Sequence, residues 1–138
     1  MIVRKKWIER DYVRANPDAL FVFGDNMKRV GMGGQAGSMR GEPNAIGIPT
    51  KWWPDMSPGA FFRDDMPNES QVRIVVRTWM PEFENIEKAL KAGKDVFVPF
   101  DGLGTGLSKM PELAPGLLGI LNAFFEVMGE RHGVRVED

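Results

Sequence analysis

An α/β fold is the class the sequence predicts, with strands alternating with helices around a mostly parallel or mixed sheet in an α/β/α arrangement, as a single domain over residues 1–138. Three features predict it. Apolar runs of strand length occur at residues 19–23, 45–49 and 95–100, and they are continuous rather than alternating, as in strands covered on both faces. Segments with helical spacing lie between and after them. Two glycine clusters, residues 31–37 and 102–108, each follow one of these apolar runs and precede a segment with helix character.

In chain order, residues 1–7 read as a short edge strand whose outer face is basic through Arg4, Lys5 and Lys6. Residues 9–16 suit a brief helix that ends at Asn16, because a residue before proline avoids helical dihedrals. Residues 19–23 form a strand, residues 34–40 hold two helical turns, and residues 45–49 form a second buried strand. Residues 52–67 carry Pro54, Pro58, Pro67, Trp52, Trp53, Phe61 and Phe62 and read as a long excursion over the surface.

Residues 69–92 are predicted helical with a break near Pro81. Asn68 is the expected N-cap, with Gln71 reaching back to complete a capping box. Alternation of Val72, Ile74 and Val76 with Arg73 and Arg77 is the competing strand signal. Phe83, Ile86 and Leu90 recur at helical spacing, and Gly93 stands at the expected stop. Residues 95–100 form a central strand. Pro111 then opens a final helix whose Leu113, Leu117, Leu121, Phe124 and Met128 make one core-facing stripe.

Composition narrows the function classes. A 43% hydrophobic and 27% charged chain is ordinary for a soluble globular domain. A formal net charge of −1 supplies no basic field, so a nucleic-acid partner is not indicated. No run approaches the ~18 apolar residues of a membrane helix, so no membrane partner is expected. The absence of cysteine removes disulfides, thiolate metal sites and thiol nucleophiles, and fits a reducing cytoplasm. The single histidine, His132, is placed after the last helix and away from the loops, which argues against a histidine metal centre and a Ser-His-Asp triad. Neither a metal nor a cofactor is expected.

The glycine clusters carry the functional reading. A strand, a glycine loop and a helix start together aim backbone N–H groups at an anion. Glycine permits the close approach and the unusual dihedrals. In a parallel sheet with right-handed crossovers, ligands sit outside the carboxyl ends of the strands, so both loops converge on one cleft. Asp25 and Asn26, Thr50 and Lys51, and Asp101 end strands at that same edge, where a carboxylate, an amide and a cation can meet over a ligand. Asp25, Asn26 and Asp101 equally suit the capping of the loops that follow them. The first loop is not a Rossmann fingerprint, and no Walker A ending is present.

Three further groups have two readings each. Arg40 can hold a phosphate or pair with Glu42. Trp52 and Trp53, with Phe61 and Phe62, can stack on a base or anchor their loop. Met27, Met32 and Met39 flank the first loop and suit adaptable packing.

The run Phe21-Val22-Phe23-Gly24-Asp25-Asn26 leading into Gly31-Met32-Gly33-Gly34-Gln35-Ala36-Gly37, together with Gly102-Leu103-Gly104-Thr105-Gly106-Leu107, resembles the macrodomain family across residues 19–40 and 95–128. The Phe-Gly-Asp-Asn, Pro-Asn-Ala-Ile-Gly-Ile-Pro-Thr-Lys and Gly-Leu-Gly-Thr-Gly runs are also similar to those of small phage and bacterial proteins. The macrodomain resemblance implies a three-layer α/β/α fold. As ligand it implies ADP-ribose or a related nucleotide diphosphate sugar, either free or on an ADP-ribosylated macromolecule. Asn26 would contact the distal ribose. The loop opened by Gly31 would face one phosphate through the backbone of Gly33, Gly34, Gln35 and Ala36. The loop opened by Gly102 would face the other through the backbone of Gly104, Thr105, Gly106 and Leu107.

Where many family hydrolases carry an acid in the first loop, this chain has Gln35 and Ala36. For the family's adenine-binding aspartate, Asp11 and Asp18 are the available positions. Hydrolysis of an ADP-ribosyl or 1″-phosphate linkage, with Asn26 placing the ribose and Asp25 or Asp101 orienting water, therefore stands beside a non-catalytic module that binds or sequesters a nucleotide signal. A protein-interaction role for residues 52–62 is a third reading. Valine at Gly33 or Gly104 is expected to fill the phosphate position and leave the fold intact.

Overall fold

The computed structural model describes residues 1–66 and 68–137. Pro67, assigned above to the surface excursion, lies outside them, as does Asp138. The elements in chain order are β1 (Ile2–Lys5), α1 (Arg10–Ala15), β2 (Leu20–Asn26), α2 (Ala36–Met39), β3 (Ala45–Lys51), a 3-10 turn (Pro58–Ala60), α3 (Glu69–Lys91), β4 (Val96–Pro99), α4 (Met110–Leu113), α5 (Pro115–His132) and β5 (Val134–Glu137). The five strands form one sheet in the order β3-β2-β4-β1-β5, with every neighbouring pair parallel. The α/β class follows directly, and the sheet is parallel rather than mixed.

Alternation along the strands divides the core. Ile2, Val22, Ile48, Val96 and Val98 pack with α3, α4 and α5 through Trp79, Ile86, Met110 and Leu121. Val3, Phe21, Phe23 and Phe97 point to the opposite face and pack with Val13 of α1 and Ala36 and Met39 of α2. On that face Phe21 and Phe97 stack at 4.7 Å, with the Tyr12 ring edge-on to both.

Several elements differ from the sequence reading. β1 is an interior strand, flanked by β4 and β5. Sequence reasoning missed β5, whose four residues immediately follow the helix that ends at His132; His132 is that helix's last residue rather than a residue beyond it. The predicted two turns at 34–40 contract to the four-residue α2. α3 runs unbroken through Pro81. The hydrogen bond that proline cannot donate would have gone to the Arg77 carbonyl; Arg77 and Pro81 are both exposed, while buried Trp79 and Phe83 hold the helix on either side. Trp79 also donates its indole N–H to the Pro49 carbonyl at 2.7 Å, fixing α3 to β3.

The α3 N-cap forms by half. Asn68 Oδ1 accepts from the Ser70 N–H at 3.0 Å, but Gln71 Oε1 is buried without a partner among the described residues and closes no box. At the other end Gly93 takes φ +81, and the Lys94 N–H reaches back to the Ala89 carbonyl at 3.0 Å, a Schellman closure. The predicted final helix is two helices, broken at Ala114, which precedes Pro115 and takes φ −141 and ψ 56.

The excursion after β3 is partly internal. Ala60, Phe61 and Phe62 are buried, and the Asp64 carboxylate accepts from the Gly116 and Leu117 N–H groups at 2.6 and 3.1 Å, capping α5 across the fold. Trp52 packs edge-on against Phe62 at 5.0 Å. Trp53 donates to Asp55 and Ser57, with its ring over Gly59. Both tryptophans anchor this segment.

Glu42 ties α1 to the turn after α2 by accepting from Arg10 and Arg14, each at 2.8 Å. Those two guanidinium bonds hold the Glu42 carboxyl below its usual range. A depressed folded-state value means stabilisation that is present above the ordinary carboxylate pKa and lost as pH falls through the folded one. Glu42→Gln is therefore expected to lower the melting temperature at pH 7. The difference from the parent should close as pH falls below about 4, where unfolded-state carboxylates protonate; a thermal-melt series across pH checks this.

Candidate functional site

β2 and β4 are neighbours in the sheet, pairing Leu20 with Val96 and Phe21 with Phe97, and each is followed by one glycine cluster. The loops therefore leave the same carboxyl edge side by side. They meet over a cleft of about 290 Å³ lined by Gly33, Gly34 and Gln35 from the first and by residues 101–108 from the second. A smaller cavity of about 90 Å³ adjoins it, lined by Asp25, Asn26, Gly31, Ala36, Arg40 and Lys51. Gly24, Gly33, Leu107 and Ser108 border both.

Hydrogen bonding within the loops leaves a row of donors. The N–H groups of Gly33, Gly34, Gln35 and Ala36, and those of Gly104, Thr105, Gly106 and Leu107, have no partner among the described residues. Uncommitted backbone donors in a glycine loop suit an anion. A non-glycine residue in the left-handed region flanks each cluster, Arg29 at φ +58 before the first and Lys109 at φ +50 after the second. Such backbone costs about 1–2 kcal/mol per residue and is held only by the surrounding structure.

Not all the loop glycines are alike. Gly33 has room, since a Cβ there would meet only Leu107 Cδ1 at an ordinary 3.6 Å. Gly104 takes φ +81, and a Cβ would lie 2.5 Å from the Met110 sulfur. Valine at Gly104 is thus strained in its backbone and blocked by the core, which corrects the expectation that it would leave the fold intact.

Asp25 lines the small cavity, and its side chain is 2% exposed. Arg40 grips it with both terminal nitrogens, the second contact at 3.2 Å, and Arg29 approaches to 3.5 Å. The Asn26 N–H donates to the same carboxylate at 2.8 Å. Space for the carboxylate exists because residue 47 is glycine: a Cβ there would stand 2.5 Å from Asp25 Oδ2. Arg40 also donates to the Gly31 carbonyl at 2.7 Å and lies over the Phe23 ring. The expected Arg40–Glu42 pair is replaced by Arg40–Asp25, because Glu42 is taken by α1.

Asn26 is buried, and its amide is engaged by the loop itself. Nδ2 donates to the Val30 carbonyl at 2.7 Å, and Oδ1 accepts from the Lys28 N–H at 3.1 Å. The register of β2 and β3 slips at this point, pairing Asp25 with Pro49 and Asn26 with Lys51. Thr50 is left as the bulged residue. Its hydroxyl donates to the Asp25 carbonyl at 3.2 Å and lies 2.5 Å from the Ser108 hydroxyl, joining β3 to the second loop.

Lys51 is buried beside the cavity, donating to the Asp55 carbonyl at 2.6 Å and lying 4.8 Å from the Phe61 ring centre. Burial lowers the pKa of its ammonium, and nearby Lys109 adds to that against the opposing pull of Asp55. Asp101 is exposed in the larger cleft, and its carboxylate has no hydrogen-bond or ion-pair partner among the described residues.

Gln35 serves the fold through its side chain. It accepts from the Ile8 N–H and donates to the Ile8 carbonyl, both at 2.9 Å, locking the segment after β1 onto the first loop. Sequence reasoning missed this clamp, the Ser108–Thr50 contact, and the presence of Lys6 and Trp7 in the cleft wall. Among the described residues no cluster of three His, Cys, Asp or Glu side chains suits a metal ion, and no helix is long and apolar enough to cross a membrane.

Residues 3–124 match a family described as "Family of unknown function (DUF7831)". No curated protein and no solved structure matches the chain.

Proposed function

On the premise that the chain belongs to this family of unknown function, we propose that it binds ADP-ribose or a related nucleotide diphosphate sugar, free or attached to a macromolecule, through its two glycine loops. One observation carries the reading: two rows of N–H groups with no partner among the described residues belong to loops that follow adjacent strands and line one cleft and the small cavity beside it. Two loops suit two phosphates, each taken by backbone donors of its glycine cluster. The charge balance agrees, since Asp25 is already paired with Arg40 and Arg29 while Lys51 lies beside the same cavity. Resemblance of both loops to those of macrodomains supports ADP-ribose over other diphosphates. A cytoplasmic location is part of the same proposal, resting on the cysteine-free composition.

Binding without turnover is the form that fits the site. Asp25 and Asn26, the residues suited to orient water and ribose, have their polar atoms engaged by protein groups. Hydrolysis of an ADP-ribosyl or 1″-phosphate linkage is the second reading, and the uncommitted carboxylate of Asp101 in the larger cleft favours it.

Calorimetry with ADP-ribose, run beside incubation with ADP-ribosylated protein, ADP-ribosylated nucleic acid and ADP-ribose-1″-phosphate, separates the two. The expected result is saturable binding with all three substrates left intact. Turnover that falls ~10²-fold or more in Asp101→Ala would establish the hydrolytic reading. Absence of ADP-ribose binding would overturn both.

A further inference from the structure

Trp7 is a large apolar side chain left 51% exposed, and it stands in the wall of the glycine-loop cleft beside Lys6. It follows the carboxyl end of β1, the strand next to β4. Among the described residues its indole N–H has no hydrogen-bond partner and its ring makes no ring contact or cation contact. The other three tryptophans are committed: Trp79 is fully buried, Trp52 packs on Phe62 and Trp53 is held by Asp55 and Ser57. The backbone next to Trp7 is tied to the first loop, because Ile8 is clamped through both backbone polar groups by Gln35. An unpartnered, half-exposed indole lining the same cleft as the glycine loops has the chemistry of a base platform, since aromatic stacking accepts the π-face of any base.

We infer that Trp7 is the base-stacking wall of the cleft, and that the ligand held by the two loops carries a nucleobase beside its phosphates. This rests on the phosphate-loop reading above and deepens it by naming the side chain that takes the base of the nucleotide. Lys6 lies 6.0 Å from the Phe100 ring centre and adds positive charge on the same side of the cleft.

Calorimetry with inorganic pyrophosphate, ADP and ADP-ribose on the parent, Trp7→Ala and Trp7→Phe tests it. Trp7→Ala should weaken ADP and ADP-ribose by roughly 5- to 150-fold, the range that loss of one base–aromatic stack gives, and leave pyrophosphate within about 2-fold of the parent on the same grounds. Trp7→Phe should retain most of the affinity, and ADP-ribose should change tryptophan emission in the parent but not in Trp7→Phe. If Trp7→Ala binds ADP-ribose as the parent does, the inference fails while the phosphate-loop reading stands. If pyrophosphate and ADP-ribose weaken equally, Trp7 serves the loops' structure and the inference again fails. A parent that binds none of the three ligands removes both.

Discussion

Arg40→Ala is expected to destabilise the protein by about 3 kcal/mol, the scale on which one partner of a buried ion pair is missed. The loss is mainly that of Asp25, whose carboxylate remains buried between β2 and β3. Arg29 at 3.5 Å supplies only part of the compensation, and the bonds from Arg40 to the Gly31 and Val30 carbonyls disappear as well. For a chain of this length the melting temperature should fall by about 10 °C. Asp25→Asn in the Arg40→Ala background should cost far less than the two single effects added, because the unpaired charge is then removed. A melt of Arg40→Ala within about 0.5 kcal/mol of the parent, the level of an ordinary surface substitution, would show that the pair does not hold the first loop.

Gly33→Val should leave the melting temperature near that of the parent and remove ADP-ribose binding. The residue lies outside the left-handed region, and a Cβ there makes one ordinary contact with Leu107. It borders both the small cavity and the larger cleft, so the branched side chain occupies the space a phosphate would take. Loss of two charge-assisted backbone hydrogen bonds at ~1.5 kcal/mol each corresponds to about 100-fold in affinity. Gly104→Val is the contrasting case, expected to unfold more readily because its Cβ is blocked by Met110. Affinity in Gly33→Val equal to the parent's would place the ligand elsewhere.

What the sequence made legible were features set by local chemistry. The apolar runs of β2, β3 and β4, the stop at Gly93 and the Asn68 cap depend on residues within a few positions of each other. The adjacency of the two glycine loops followed from the general placement of loops at the carboxyl edge of a parallel sheet. What stayed hidden depends on chain segments meeting through space. β5 is four residues whose pairing with β1 converts a predicted edge into an interior strand. The Arg40–Asp25 pair needs the missing side chain at Gly47, which has no local signal. The side chain of Gln35, for which the sequence suggests no role, matches with its amide the two polar groups of Ile8, 27 positions away. Trp7 passed as part of a strand because only the assembled sheet brings it beside both loops.

Amide chemical-shift mapping during titration with ADP-ribose tests the central claim most directly, because it reads the proposed donors one by one. The account predicts that the amides of Gly33, Gly34, Gln35 and Ala36 and those of Gly104, Thr105, Gly106 and Leu107 shift together along one saturation curve. Saturation with shifts confined to one loop, or to residues away from both, would contradict it.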